Sequence, residues 1–326
     1  MGTERTERAR SPRSRYARLV SYVENLSETQ YAYFLLTPVM LLLFVIAIWP
    51  LARTFVMSLH ADQLVGAVNI GEFVGITNYV ELLTGERDHV MPRPFLDLSR
   101  PLQSALIVTF IFAIVSVAIE TLLGFAQALV LDQEFSGRRL MRVVIIIPWS
   151  VPIVIQGMIF YLMFVPGVGF AAPPLQELGL ISSTPLITTR DSLAIVIVAD
   201  IWKTTAFMAL LILAGLQSID RKLYDVARVS GATRWQQFKL VTLPLVMPAV
   251  LIAMLFRTID ALRVFGLIET VTDCTTVPSL SCMVVATFGA RRYGTSAAIA
   301  FLTAAIIGIA VLFYIVKFSG SRRGGI

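Results

Sequence analysis

The sequence predicts an all-α protein that crosses a membrane several times, and three observations carry that prediction. Only 15% of the residues are charged, against roughly 25% in a soluble domain. Apolar residues gather into six runs, each at least as long as the ~20 residues a helix needs to cross a bilayer. The runs are continuous, whereas the strands of a membrane β-barrel are short and alternate in polarity.

Taken in order, the first run is 31–58, opening YAYFLLTPVMLLLFVIAIWP. The second, 102–131, contains Glu120 and the pair Gly124/Ala128, whose small side chains at i, i+4 suit close helix packing. The third, 142–165, holds Pro148 and Pro152. Each proline removes a backbone donor, so this run is expected to bend. The fourth, 192–215, carries Asp200 and Lys203. The fifth, 245–268, follows Pro244 and carries Pro248, Arg257, Asp260 and Arg263. The sixth is 296–317.

Loop charge predicts orientation. With the N-terminus inside, the inner segments hold Arg5, Arg8, Arg10, Arg13, Arg15 and Arg18, then Arg138, Arg139 and Arg142. They continue with Arg221, Lys222, Arg228, Arg234 and Lys239, and end with Lys317, Arg322 and Arg323. The outer loops hold only Arg87, Arg93, Arg100, Arg190, Arg291 and Arg292. Both termini are therefore expected in the cytoplasm. The chain divides into a basic tail (1–30), a membrane domain (31–318) and a short second tail (319–326). The basic start leads into a full-length span without a small-residue cleavage site, as an uncleaved anchor would.

Composition also excludes functions. The basic residues follow the spans and form no nucleic-acid patch. Cys274 and Cys282 form no CxxC pair, and His60 and His89 lie far from them, so no metal site is expected. Nothing matches GxxxxGK[ST], so ATP binding by that loop is excluded, and the apolar runs hold no His-rich or Ser/His/Asp cluster at membrane depth that a membrane-embedded enzyme would need.

Segment 219–244 is too polar to span. Leu223, Val226, Ala227 and Ser230 have a rough helical spacing, Gly231 permits a turn, and a second helical stretch runs from Trp235 to Val241. Pro244 is expected to end or bend that stretch. The reading is a helix–turn–helix elbow between spans four and five, serving either as a connector or as a docking element.

The elbow resembles the Glu-Ala-Ala loop of ABC importer permeases. Asp225, Val226 and Ala227 stand at the Glu-Ala-Ala positions, Gly231 at the glycine with Ala232 after it, and Val241-Thr242-Leu243-Pro244 at the close. Arg228 and Arg234 flank the turn. Asp for Glu, Val for the first Ala, and Ser230 before the glycine depart from the pattern. Glu72 to Tyr79 resembles the F-x-G-x-x-N-Y stretch of maltose- and trehalose-type sugar permeases. Ile201 to Thr205 and Phe256 to Phe265 are similar to spans four and five of that group. Gly266 replaces the group's Asp after span five, and Glu269 to Pro278 lacks its glycine turn.

The resemblance implies a multi-pass permease subunit in the plasma membrane, importing a sugar such as a trehalose- or maltose-like di- or oligosaccharide. It implies a second homologous permease, a dimer of ATP-binding-cassette ATPases that holds ATP and Mg, and an extracytoplasmic sugar-binding protein. The chain itself would bind no cofactor and hydrolyse nothing. A permease for another solute, such as glycerol phosphate or a polyamine, is the near alternative. An ion-driven secondary carrier using Glu120, Asp200 and Asp260 is the more distant one.

Charges at membrane depth face a cavity or a partner helix. Asp200/Lys203 and Arg257/Asp260/Arg263 are spaced i, i+3 and could pair along their own helices. Either they form an ion network between helices, or Lys203, Arg257 and Asp260 contact the sugar. Trp202, Thr204, Thr205 and Phe256 supply hydroxyls and aromatic faces nearby. Cys274 and Cys282 fall in the last outer loop, either bridged or as two free thiols. The segment 59–101 either helps to seat the binding protein or covers helix ends.

Overall fold

The computed structural model describes residues 26–64 and 70–323, with the backbone alone beyond Lys317. The arginines of the first tail and the side chains of Arg322 and Arg323 lie outside the described residues. The described chain is helical apart from loops and one isolated bridge, His60 with Phe73.

Helix α1 (Glu28–Ser58) begins with a capping box: Gln30 N–H donates to Ser27 Oγ, and Ser27 N–H donates to Gln30 Oε1. It is apolar on all sides, as lipid surroundings permit. After α1, the chain forms α2 (Thr77–Thr84), α3 (Ala105–Asp132), α4 (Arg138–Ser150), α5 (Ile153–Phe164) and α6 (Ala172–Glu177). Then come α7 (Thr189–Gln217), α8 (Lys222–Val229), α9 (Arg234–Ala261), α10 (Gly266–Val271), α11 (Leu280–Gly289) and α12 (Tyr293–Arg323). Among them α1, α3, α7, α9 and α12 are long and apolar enough to cross a membrane, and α4 with α5 makes a sixth span if the bent pair is counted as one.

Two runs and the elbow differ from expectation. The third is broken rather than merely bent: α4 and α5 meet at 88°, with Pro152 as the N-cap of α5. The fifth starts earlier, at Arg234, and stops at Ala261. Its apolar composition continues to Ile268, but the backbone switches to i→i−3 bonds from Arg263 to Asp260 and from Val264 to Ala261. The Ser279 hydroxyl then takes the Val264 carbonyl at 2.7 Å, and the chain turns into α10. Pro244 does not end the elbow's second helix. A π-helical turn, Phe238–Thr242, precedes it, and Pro244 sits in the first turn of the regular α-helix that follows. Pro244 has no N–H to continue the ladder, and the wider π-helical turn stands directly before that gap.

The core lies where α3, α7 and α9 meet, with α12 against α9 and α11. Gly124 marks a close approach of α3 and α7: a Cβ there would stand 2.6 Å from the Met208 Cβ on α7. The 59–101 segment closes over the start of α12. Asp62 accepts from Thr295 N–H at 2.9 Å and Oγ1 at 2.6 Å, and Arg87 bridges Glu81 and Asp62. Within it, buried Asn78 donates to the Ser58 and His60 carbonyls, and the Tyr79 hydroxyl bonds the Ser58 hydroxyl. The asparagine and tyrosine of the Glu72–Tyr79 stretch are thus pins of the fold.

Candidate functional site

Two polar constructions stand out: the elbow between α7 and α9, and a charged cavity beside α7 and α9. The elbow is specified by local chemistry. Lys222 N–H donates to Asp220 Oδ1 at the start of α8. At its end Gly231 adopts φ +81°, Gly231 N–H donates to the Arg228 carbonyl, and Ala232 N–H reaches back to the Ala227 carbonyl at 2.9 Å. That pair of bonds is the Schellman ending, which requires a left-handed residue at the glycine position. Thr233 and Gln236 then form a capping box that starts α9.

Two contacts hold the elbow in place. The Tyr224 and Thr242 hydroxyls meet at 3.0 Å, and Arg221 donates to Asp132 at the end of α3 at 2.7 Å. That carboxylate holds the Arg221 guanidinium above its ordinary value, against a smaller opposing effect of burial. A groove of about 700 Å³ opens here, lined by Asp132, Tyr224, Asp225, Arg228, Arg234 and Gln237 among others. Asp225 and Arg228 pair at 3.4 Å while remaining exposed. Val229, Trp235 and Leu240 beside them are exposed apolar side chains. Of the residues singled out in this loop, Asp225, Arg228 and Arg234 face the groove, whereas Ala227, Gly231 and Ala232 shape the turn. Pro244 lies further along α9 and is absent from the groove lining.

The cavity has about 120 Å³ and is lined by Asp200, Lys203, Arg257, Asp260 and Arg263, with Ile153, Phe265 and Gly266 among its other walls. Arg257 is its organiser. Its guanidinium donates from Nε to Glu120 at 2.6 Å, from Nη1 to Asp260 at 3.2 Å, and from Nη2 to Glu120 and Asp200. Thr204 Oγ1 completes the set by donating to Glu120 at 2.6 Å. Glu120 is 0% exposed and Arg257 2%. A buried charge persists only when paired and hydrogen-bonded, and the fork of a guanidinium can serve several carboxylates at once.

This pairing corrects one expectation. Asp200 takes its hydrogen bond from Arg257 on α9, and no ion pair joins it to Lys203 among the described residues. Lys203 lines the cavity, while the planar fork of Arg257 occupies Asp200. Arg257/Asp260 does pair along its helix as the spacing suggested.

The other expected pathway residues separate. Thr204 is buried within the network. Trp202 and Thr205 line a second cavity of about 240 Å³ with Gln127 and Pro148. Phe256 is 54% exposed and lines neither cavity. Sequence reasoning counted Glu120 among the charges at membrane depth but gave it no partner, and it did not single out Gln156 or Ser279. The Thr233-x-x-Gln236 capping box was readable; the partners of Gln156 were not, because they lie across the 88° break.

Beyond α10, Cys274 and Cys282 are joined in a disulfide, Cα–Cα 5.4 Å. Beside it burial pushes Asp273 up, but hydrogen bonds from Thr275 and Thr276 outweigh this and hold its carboxyl below the usual value.

The family model described as "Binding-protein-dependent transport system inner membrane component" matches residues 120–323, which include both constructions. The chain is 35% identical over 285 residues to the trehalose/maltose transport system permease protein MalF of Thermococcus litoralis, covering 86% of this chain and 90% of that one. It is 32% identical over 302 residues to the trehalose transport system permease protein SugA of Mycobacterium tuberculosis, covering 92% of each. Its fold matches a chain of a bacterial ABC transporter involved in the import of the acidic polysaccharide alginate. There the TM-score is 0.72 at 22% identity, over 95% of this chain and 100% of that one. With its membrane-crossing helices and more than half its length matched, this multi-pass chain belongs to the inner membrane components of binding-protein-dependent transport systems.

Proposed function

We propose that this chain is the permease subunit of an ABC importer for a sugar, of the trehalose or maltose kind. The observation that carries the reading is the elbow: an exposed, glycine-hinged turn with a charged groove, rigidly joined to the helix that holds Arg257 and Asp260. A partner that grips this groove would move α9 and the cavity with it. The permease relatives named for trehalose and maltose support the choice of solute. Asp225, Arg228 and Arg234 are the groove contacts for an ATPase dimer, and the Asp225 carboxylate replaces the longer acid of the resembling pattern. Lys203 and Asp260 are the cavity groups able to meet sugar hydroxyls, since Arg257 is already held by its three carboxylates.

Hydrolysis then belongs to the separate ATPase subunits, which hold the ATP and Mg. A second permease and an extracytoplasmic binding protein complete the assembly. In this reading the elbow and both termini face the cytoplasm. Nucleotide binding in the ATPase supplies the differential contacts that any switch between two states requires. An ion-driven carrier has no use for the elbow, and the three carboxylates it would need, Glu120, Asp200 and Asp260, are all paired with Arg257.

The test is to purify the chain with its companion subunits and measure ATP hydrolysis with the binding protein and candidate sugars. Trehalose or maltose should stimulate hydrolysis. Gly231→Pro should still insert in the membrane but lose the stimulation, because proline cannot adopt φ +81°. Uptake that persists without ATPase subunits and collapses with an uncoupler would establish a carrier instead.

A further inference from the structure

We infer that Gln156 is a positioning residue for the solute route: its amide clasps the break between α4 and α5 and so sets where α5 and α10 stand around the charged cavity. The inference rests on the importer reading for what the cavity carries, but not for its geometry.

The break begins with backbone chemistry. Pro152 has no N–H, so the Pro148 carbonyl loses the partner it would have in a continuous helix. Val151 and Pro152 are extended, with ψ 135° and 140°, which also strips the Val151 carbonyl of its helical partner. Gln156 is fully buried one turn later. Its Nε2 donates to the Pro148 carbonyl at 2.5 Å and to the Val151 carbonyl at 2.8 Å. An amide nitrogen carries two hydrogens, so one group closes both gaps and ties the last turn of α4 to the first turns of α5.

The amide is only partly satisfied. Gln156 Oε1 is buried with no hydrogen-bond partner among the described residues. The two bonds gained and the acceptor left unpaired are of similar size and nearly cancel. A leucine of comparable volume would remove the unpaired amide oxygen but leave the Pro148 and Val151 carbonyls without that donor. What the amide supplies is an angle, and the angle matters to the cavity. Gly157 lies so close to Thr270 that a Cβ there would overlap its side chain, which fixes α5 on α10. Ile153, in the first turn of α5, lines the cavity and faces Gly266, where a Cβ would stand 3.5 Å from the Ile153 Cδ1. On the other side of the break, α4 packs against α7, the helix that brings Asp200 and Lys203. The clasp therefore sets the spacing between the charged wall and the apolar wall of one cavity.

The experiment uses the complete complex with the sugar that stimulates it, and a cross-link that needs no transport. Gln156→Leu should raise the KM for uptake by about tenfold or more, the size expected of misplaced binding groups, with Gln156→Asn in between. Adding Pro152→Ala to Gln156→Leu supplies an N–H that reaches the Pro148 carbonyl once the helix straightens across the break. This double variant should recover the amount of folded protein but not the KM. In the Ile153→Cys/Gly266→Cys protein a short thiol cross-linker should join α5 to α10, and adding Gln156→Leu should reduce the yield several-fold. The native cysteines are in a disulfide and do not compete. An unchanged KM in Gln156→Leu, a KM restored by Pro152→Ala, or an unchanged cross-link yield would each overturn the inference. If Gln156→Leu fails to accumulate, Gln156→Asn carries the same comparisons. Absence of sugar-stimulated activity in the unaltered complex would sink the importer reading alone, and the cross-link would still decide the role of Gln156.

Discussion

Arg257 shares one guanidinium among Glu120, Asp200 and Asp260, and so joins three helices at a single buried point. Removing one member of a buried ionic group leaves the others charged without a partner, which costs about 3–5 kcal/mol. Arg257→Met should therefore lower stability by about that amount, read as thermal unfolding of the purified protein in detergent. Lys203→Ala, which breaks no ion pair among the described residues, should stay within about 0.5 kcal/mol of the parent. Equal losses in both variants would show that the network does not bind the helices. The spacing of these charges suggested pairs within a helix; only Arg257/Asp260 obeys it, because a guanidinium fork reaches further than a helical turn.

The contact between α3 and α7 depends on the missing side chain at Gly124. A Cβ there meets the Met208 Cβ at 2.6 Å and the Ala209 backbone N at 3.0 Å, so the helices must separate to admit it. Overpacking of this kind costs about 1–3 kcal/mol. Gly124→Ala should lose that much, again by thermal unfolding, and a neutral result would mean that the two helices slide freely. Gly231 is a glycine for a different reason: nothing lies within 4 Å of its Cβ position, and only its φ of +81° requires it. Substituting it therefore strains the turn rather than the packing. The small-residue spacing at Gly124 and the lone glycine at 231 were both readable from the sequence. The breaks at Pro152 and at Leu262 were only partly so. Apolar composition reports that residues avoid water, and it does not report whether the backbone continues as one helix.

Across the whole molecule, the distribution of Lys and Arg makes a prediction about the two sides of the membrane. Single cysteines introduced at Arg234 and at Arg291 should label from opposite sides, Arg234 from the cytoplasm, with an impermeant thiol reagent on intact cells and on inverted vesicles. Labelling of the Arg234→Cys protein from the outside would overturn the elbow's proposed role, since an ATPase could not reach it. The native cysteines are bridged and stay silent in this assay.

By itself the sequence determined the helical class, the number of apolar runs and the elbow. These follow from local quantities: residue polarity summed over a span, a glycine where a turn must be left-handed, and capping residues at fixed offsets. The tertiary structure alone decided which carboxylates hold Arg257, that Cys274 and Cys282 are bridged, and that Gln156 serves carbonyls across a break. Those partners are brought together by the packing and bending of helices, and hydrogen bonds of under about 3.2 Å depend on positions that no sequence spacing encodes.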